Sequence, residues 1–430
     1  MLTAPACCTT MLWVVLCSVH TCTSAGFDWS IVEKSKGVYN WTFYDKLFDK
    51  VASAGVKGLW LMHPENSLYK SDTPIPTDKD TVAAAAAFMH AAAKRYQSHD
   101  AFWAFEMVNE PNLKKQADNC SADAALISAI GHRIRSDPET AGVRLDAPAT
   151  PEHGIVPPTE WLADFFSHPS HPMQYLDIIT QHLYRPTAPE AVQSDWVNLL
   201  DVVAAHWNGT GGPPAVSSGE WGYTTCQGGG CHHSVSNATQ AKYIAREWLF
   251  LHALGSPLNV WYDWHRDCTD DTDRECRFGI VNHDDFEPLT SYRAASAALK
   301  QIGPYSVPDS LNLTTAAAPG LALRYPALAG RQQPAFAAWM PVNSNDTVPA
   351  SPTVELRGAV GKYLLLSSTG GPLGAVVSSP CSSDAPSARW EGLGRSVESL
   401  GRQEEGQGEG DLCVTVQLGD APLYVMPAGV

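Results

Sequence analysis

A chain of 430 residues, 44% hydrophobic and 17% charged, has room for one barrel-sized domain plus a smaller one, and these values exclude global disorder. Its formal net charge of -16 argues against nucleic acid or an anionic membrane as partner and leaves neutral polymers open. Fourteen Trp is rich for this length; most belong to a core, and a sugar-binding cleft also uses flat aromatic faces.

At the amino end, Met11 to Val19 is a short apolar run followed by the small residues Thr23-Ser-Ala25. A bilayer span needs about 20 apolar residues, so the run is read as a signal-like leader over residues 1–25 and not as a stable membrane insertion. It lacks a basic n-region, since the first Lys or Arg is Lys34. Acceptor sequons at Asn40, Asn119, Asn208, Asn237, Asn312 and Asn345 lean the same way, towards secretion or a secretory lumen. So do cysteines that can be bridged over short range or within a domain: Cys226 with Cys231, Cys268 with Cys276, and Cys381 with Cys413. Cys120 is left over.

From Asp28 to Gly303, apolar strand-like runs alternate with amphipathic helical stretches, the pattern of a parallel α/β fold. Strands are expected at 56–63, 102–108, 142–147, 175–184, 215–220 and 258–264. Helices are expected at 41–53, 81–97, 122–136, 188–207, 239–253 and 290–302, the run Ala83 to Ala87 being a strong helix former. Six such repeats predict a (β/α)8 TIM barrel over residues 26–303. Ala25 to Glu33 reads as the end of its second strand, so the first strand is apparently missing. Either the leader-like segment stands in its place or the chain is an N-terminally shortened form of a larger protein. Residues 304–430 turn to Gly, Pro, Ser and short alternating runs, predicting a small β-sandwich, with Gly401 to Asp411 as a loop.

Two acids stand out. Glu110, in Phe-Glu-Met-Val-Asn-Glu-Pro-Asn over 105–112, and Glu220, in Ala-Val-Ser-Ser-Gly-Glu-Trp-Gly-Tyr over 215–223, each close an apolar run. A carboxyl at the C-terminal end of a barrel strand is placed for chemistry, and glycoside hydrolysis requires two. A lone Glu in a loop is usually just solvated; here the surrounding strings favour the pair. Other constellations are weaker. Cys231-His232-His233 with His265, Asp267 and Cys268 lacks the ligand spacing of a zinc site, and Asp267 to Glu275 lacks the Gly and spacing of a calcium loop, so no metal or cofactor is expected. Ser217-Ser218-Gly219 is not a serine-hydrolase elbow.

Asn109-Glu110-Pro111-Asn112 and Gly219-Glu220-Trp221-Gly222 resemble the acid/base and nucleophile strings of the retaining glycoside hydrolases of clan A, the superfamily of cellulases, β-mannanases and β-xylosidases. Phe27 to Glu33 with Gly37 to Trp41, Gln181 to Arg185, and the stretch Gln240 to Arg293 are similar to other parts of those enzymes, so the resemblance spans roughly residues 26 to 303. It implies Glu110 as general acid/base and Glu220 as nucleophile, with Asn109 on the sugar 2-hydroxyl. It also implies His182 and Tyr184 lining the pocket, and an aromatic platform from Trp261 or Trp264. These last two lie on opposite faces of an extended strand, and Trp264 is nearer its end. Clan members commonly carry an Arg on the second strand, which has no counterpart here. The implied function is retaining hydrolysis of O-glycosidic bonds in polysaccharides or glycosides, with a carbohydrate as substrate and partner. The alternative is a catalytically weak or inactive carbohydrate-binding relative with an incomplete barrel.

Overall fold

The computed structural model describes residues 12–17, 21–69, 75–113, 120–228, 231, 233–305, 308–315, 318–326, 333–343, 353–357, 362–377, 379–380 and 412–428. In chain order the first part runs β1 (Leu12–Cys17), β2 (Thr21–Asp28), α1 (Trp29–Val32), β3 (Glu33–Ser35), β4 (Val38–Tyr39), α2 (Thr42–Ser53), β5 (Val56–His63), α3 (Lys79–Tyr96), β6 (Phe102–Met107) and α4 (Ser121–Arg135). It continues with β7 (Leu145–Pro151), α5 (Pro158–Phe166), β8 (Ile178–His182), α6 (Gln193–His206), β9 (Ala215–Trp221), α7 (Asn237–Ala253), β10 (Leu258–Trp261) and α8 (Thr290–Ile302). The remaining strands are β11 (Asp309–Thr315), β12 (Ala318–Tyr325), β13 (Ala335–Trp339), β14 (Thr353–Arg357), β15 (Lys362–Leu366), β16 (Pro372–Val377), β17 (Ser379–Pro380), β18 (Leu412–Gln417) and β19 (Leu423–Pro427).

Packing separates the chain into two compact units. The first comprises Met1–Tyr184, Asn198–Trp221 and Pro257–Trp264. Its sheet closes in the order β1, β10, β9, β8, β7, β6, β5, β2. From β2 through β5, β6, β7, β8 and β9 to β10 every neighbouring pair is parallel. Strands of a parallel barrel are covered on both faces and read as continuous apolar runs, which is why Phe102–Met107 is buried at all of its positions. The place expected to lack a strand is filled by the leader-like run: β1 pairs with both β2 and β10, antiparallel to each. An antiparallel neighbour can be joined to β2 by three residues, whereas a parallel first strand needs a crossover of a dozen or more. The parallel sheet therefore has seven strands, and the eighth is of opposite sense.

Local chemistry fixes the helices of this unit. Asp78 caps α3 by accepting from the Thr81 N–H at 2.8 Å. Phe27, fully buried at the end of β2, lies among Tyr44, Trp60, Phe88 and Phe105 with ring centroids 4.4 to 6.4 Å away. Phe48 stacks on Trp60 at 3.7 Å and on Tyr96 at 3.9 Å, joining α2, β5 and α3. Several expectations shift. The strand expected at 175–184 is Ile178–His182, so Tyr184 lies two residues past its end. The strand expected at 142–147 is Leu145–Pro151, because Pro148 and Pro151 read as breakers, and Pro148 sits where the pairing of β7 with β8 changes register. The strand expected to reach Trp264 ends at Trp261.

The second unit comprises Arg185–Val197, Gly222–Ser256 and His265–Val430. Helix α7 is capped by Ser236, which accepts from the Thr239 N–H at 3.0 Å. Beyond α8, antiparallel strands form a six-stranded sheet in the order β11, β12, β13, β19, β15, β16 and a three-stranded sheet β14, β18, β17. One apolar cluster takes Ala322, Phe336, Tyr363 and Val425 from the first sheet and Leu356, Val414 and Val416 from the second. The loop expected at Gly401 to Asp411 lies outside the described residues. Among the described residues no helix is long and apolar enough to cross a membrane.

Candidate active site

Strand β6 ends at Met107, and the chain then turns sharply. Val108 and Glu110 both adopt left-handed backbone, at φ 63° and 49°. For a β-branched residue such as Val108 this is costly, of order 1–3 kcal/mol, and such strain concentrates at functional sites. The turn is held from β7: Asn109 bridges to Ala149, the Glu110 N–H donates to the Ala149 carbonyl at 2.8 Å, and the Ala149 N–H donates to Val108 at 3.2 Å. Asn112 clamps the loop after β7, its amide donating to the Pro151 and Val156 carbonyls at 3.0 Å each. Gly154 permits this, since a Cβ there would lie 2.0 Å from the Asn112 amide nitrogen. The last Asn of the motif is thus a brace for the turn that presents Glu110.

Glu220 projects from β9, and its carbonyl accepts from the Leu183 N–H at 3.2 Å, which ties it to the segment carrying His182 and Tyr184. His182 Nδ1 lies 3.0 Å from Glu110 Oε1 and 3.5 Å from Glu220 Oε2. The Tyr184 hydroxyl donates to Glu220 Oε1 at 2.6 Å. A carboxylate oxygen of Glu110, one of Glu220 and a ring nitrogen of His182 lie within 4.8 Å of one another. The three strand ends so bring Glu110, Glu220, His182 and Tyr184 together. Asn109 is half-buried beside them, and its amide oxygen has no hydrogen-bond partner among the described residues. Trp261 has no exposed surface, whereas Trp264, past the end of β10, is partly exposed.

Burial pushes the Glu220 carboxyl up to about 7, against the opposing pull of His182. Burial alone would lower the His182 ring, but the charge of Glu220 and the bond to Glu110 carry it up to about 9. Burial and the neighbouring Glu220 push the Tyr184 hydroxyl well above its ordinary range. At neutral pH the cluster therefore holds an imidazolium at His182 beside a Glu220 carboxyl that takes up its proton near that pH.

Residues outside the expected set complete the surroundings. Tyr262 and His153 each meet the Tyr184 ring edge-on, with centroids 6.2 Å away. Glu106, four residues before Glu110, is 2% exposed, and burial pushes its carboxyl up to about 7. Nothing in the sequence around His153 marks it, but an acid inside the apolar run of β6 is a visible signal.

These shifts predict a pH dependence of stability. Glu106, Glu220 and His182 all hold protons more tightly when folded than their ordinary values of 4.5, 4.5 and 6.5. Their contribution is fully present below those values and is lost as pH rises through about 7 for the glutamates and about 9 for the histidine. Thermal unfolding followed by circular dichroism should give a Tm several degrees higher at pH 5 than at pH 9. A higher Tm at pH 9 would contradict the burial of these groups.

In the second unit, Cys226 pairs with Cys231 and Cys268 with Cys276 as disulfides, with Cα atoms 5.6 and 4.9 Å apart, inside the normal range. Cys120 is a buried free thiol. Cys413 is buried on β18, and Cys381 lies outside the described residues. Cys231, His265, Asp267 and Cys268 form no common cluster among the described residues, and His232 lies outside them.

No family model matches the chain, and no curated protein matches it by sequence. Solved structures do. A family 39 glycoside hydrolase from the gut symbiont Bacteroides cellulosilyticus WH2 is 17% identical at a TM-score of 0.65, over 94% of this chain and 74% of that one. A glucosidase from Croceicoccus marinus is 13% identical at a TM-score of 0.51, over 92% of this chain and 83% of that one. Identity this low speaks to fold alone, and in fold this chain resembles the clan A glycoside hydrolases.

Proposed function

We propose that the chain is a retaining β-glycoside hydrolase that cleaves O-glycosidic bonds of polysaccharides or small glycosides by double displacement. The observation that carries the reading is the pair Glu110 and Glu220, with carboxylate oxygens within 4.8 Å of each other at the ends of two barrel strands. Retaining enzymes hold their carboxyls about 5–5.5 Å apart, whereas inverting enzymes need about 6.5–9.5 Å to admit a water. In this reading Glu110 protonates the leaving oxygen and Glu220 attacks the anomeric carbon. Tyr184 orients the Glu220 oxygen it bonds, and the His182 imidazolium steadies the charge that moves between the two glutamates. Asn109 binds the sugar beside the reacting carbon, and Trp264, the more exposed of the two tryptophans, offers a face to the ring. The fold shared with a family 39 glycoside hydrolase and a glucosidase supports this reading. The two disulfides support a secreted or lumenal setting. We take residues 304–430 as a small β-sandwich and the residues up to 303, with β1 and β2 closing the sheet, as the barrel domain.

The test is hydrolysis of aryl β-glycosides, β-glucan, mannan and xylan, with the first product's anomer read by proton NMR. Retained configuration is expected; inverted first product, or no hydrolysis of any β-glycoside, would overturn the proposal. A second reading, a carbohydrate-binding relative of low turnover, draws on the antiparallel β1 in the place of a parallel first strand. It predicts saturable sugar binding without product.

A further inference from the structure

The barrel interior beneath the two glutamates holds a second pair of carboxyls that the proposed reaction does not use. Glu106 on β6 and Asp146 on β7 are partners in the parallel ladder, 2% and 0% exposed. Glu106 Oε2 and both Asp146 carboxylate oxygens have no hydrogen-bond partner among the described residues. Unpaired charges cost several kcal/mol at such depth, so a carboxyl there is neutral or is paid for by a nearby cation.

The position of Glu106 is built. Its Oε2 lies 2.9 Å from where a Cβ on Gly219 would be, and the Thr180 hydroxyl lies 2.4 Å from the same point. Gly219 belongs to β9, three strands from β6, so the Glu106 side chain crosses the interior and not the wall of the barrel. A side chain at 219 would collide with the Thr180 hydroxyl and crowd the Glu106 carboxyl, which gives the glycine before Glu220 a physical reason. Thr180 and His182 are two apart on β8 and share its inner face. The Glu106 carboxyl is therefore a neighbour of Thr180, one layer below the His182 ring. The outer face of that ring, Nδ1, meets Glu110 and Glu220, while Nε2 is buried with no hydrogen-bond partner among the described residues.

Resting on the glycosidase reading of the site above it, we propose that Glu106 is a positioning residue of the glutamate pair, its carboxyl setting the charge on His182 and thereby the division of protons between Glu110 and Glu220. The charged and titratable groups that face it are Asp146 from β7, His182 from β8, Glu220 from β9 and Glu110 from the end of its own strand, with Asp177 acting on Asp146. Its partner on β5, Leu61, carries no charge. The signs agree: negative charge on Glu106 raises the proton affinity of both His182 and Glu220.

The test is Glu106→Gln, which keeps the shape and removes the ionisation. The His182 ring titration, followed by NMR of the full chain, should fall by about one unit, the size expected from losing one close charge. Glu106→Asp should bring it back towards the wild-type value. Where the protein turns over a glycoside, the acid limb of kcat/KM should move to lower pH in Glu106→Gln with little change in KM. A His182 titration unmoved in Glu106→Gln would overturn the proposal. A second measurement needs no change at Glu106: in Glu110→Gln/Glu220→Gln the His182 resonances should still report one protonation step besides the ring's own, and a single step would overturn it equally. Absence of glycosidase activity in the wild type would overturn the proposed function while leaving both NMR outcomes decisive for Glu106.

Discussion

Glu220→Ala is expected to lose turnover by on the order of 10⁴-fold or more, because among the described residues no other group is placed to form the bond to the anomeric carbon. The Tyr184 hydroxyl and His182 Nδ1 are the groups that remain around the vacated carboxyl. Neither has the geometry of a second carboxylate, and His182 is held by Glu110 as well. Small external anions should fit the space. Azide is expected to restore part of the turnover on an aryl β-glycoside and to give a glycosyl azide of inverted configuration, since it attacks from the face that Glu220 occupied. Glu110→Ala should behave differently. It keeps the nucleophile, so substrates whose leaving group departs without a proton should still react, while those that need one should slow by about 10²–10⁴-fold. Equal losses on both kinds of substrate in both variants, with no azide product, would remove the separate roles assigned to the two glutamates.

The motif around each glutamate was legible because strand, turn and acid are adjacent in the chain. In Asn109-Glu110-Pro111-Asn112 the turn residues, the acid and the brace to the next loop occupy four positions, while their partners, Ala149, Pro151, Val156 and His182, lie elsewhere in the chain. The two-residue period of a strand puts His182 and Tyr184 on one side, and both do reach the glutamates, although β8 ends at His182 and Tyr184 lies in the segment after it. Other features depend on distance in space. Glu106 is visible as an acid inside an apolar run, but the place of its carboxyl, beside Gly219 and Thr180, depends on residues far along the chain. Leu12–Cys17 reads as part of a leader because a short apolar run with β-branched and aromatic residues fits a signal core and a buried strand equally well. Its antiparallel sense depends on partners at Thr21–Ala25 and Leu258–Trp261, which the run itself does not encode. Pairing of Cys226 with Cys231 and of Cys268 with Cys276 was legible for the opposite reason, the short spacing within each pair.

Arg246→Ala is expected to destabilise the second unit by about 3–5 kcal/mol, the cost of leaving a buried carboxylate without its cation. Arg246, 1% exposed in the middle of α7, forks onto Glu190 through Nε at 2.9 Å and Nη2 at 2.5 Å. Its Nη1 donates to the carbonyls of Val342 at 3.0 Å and Asp420 at 3.4 Å. Glu190 also accepts from the Trp339 indole at 2.7 Å. One guanidinium so joins the segment Arg185–Val197, helix α7, and two connections of the C-terminal part, the one after β13 and the one between β18 and β19, none of which is near another in sequence. Removing it leaves the Trp339 indole as the donor that still reaches Glu190, takes away the cation, and strips the guanidinium donor from the Val342 and Asp420 carbonyls at once. Arg246→Lys should recover part of the loss, because it keeps a charge but not the planar fork that satisfies both Glu190 oxygens. The double change Arg246→Met/Glu190→Gln should be less destabilised than Arg246→Ala, because it buries no unpaired charge. Denaturant unfolding followed by Trp fluorescence, on Arg246→Met, Glu190→Gln and the double change, gives the coupling directly. An Arg246→Ala midpoint matching the parent, or a double change worse than the sum of the singles, would show that the cluster is a bystander and that the apolar cluster shared by the two sheets carries this unit alone.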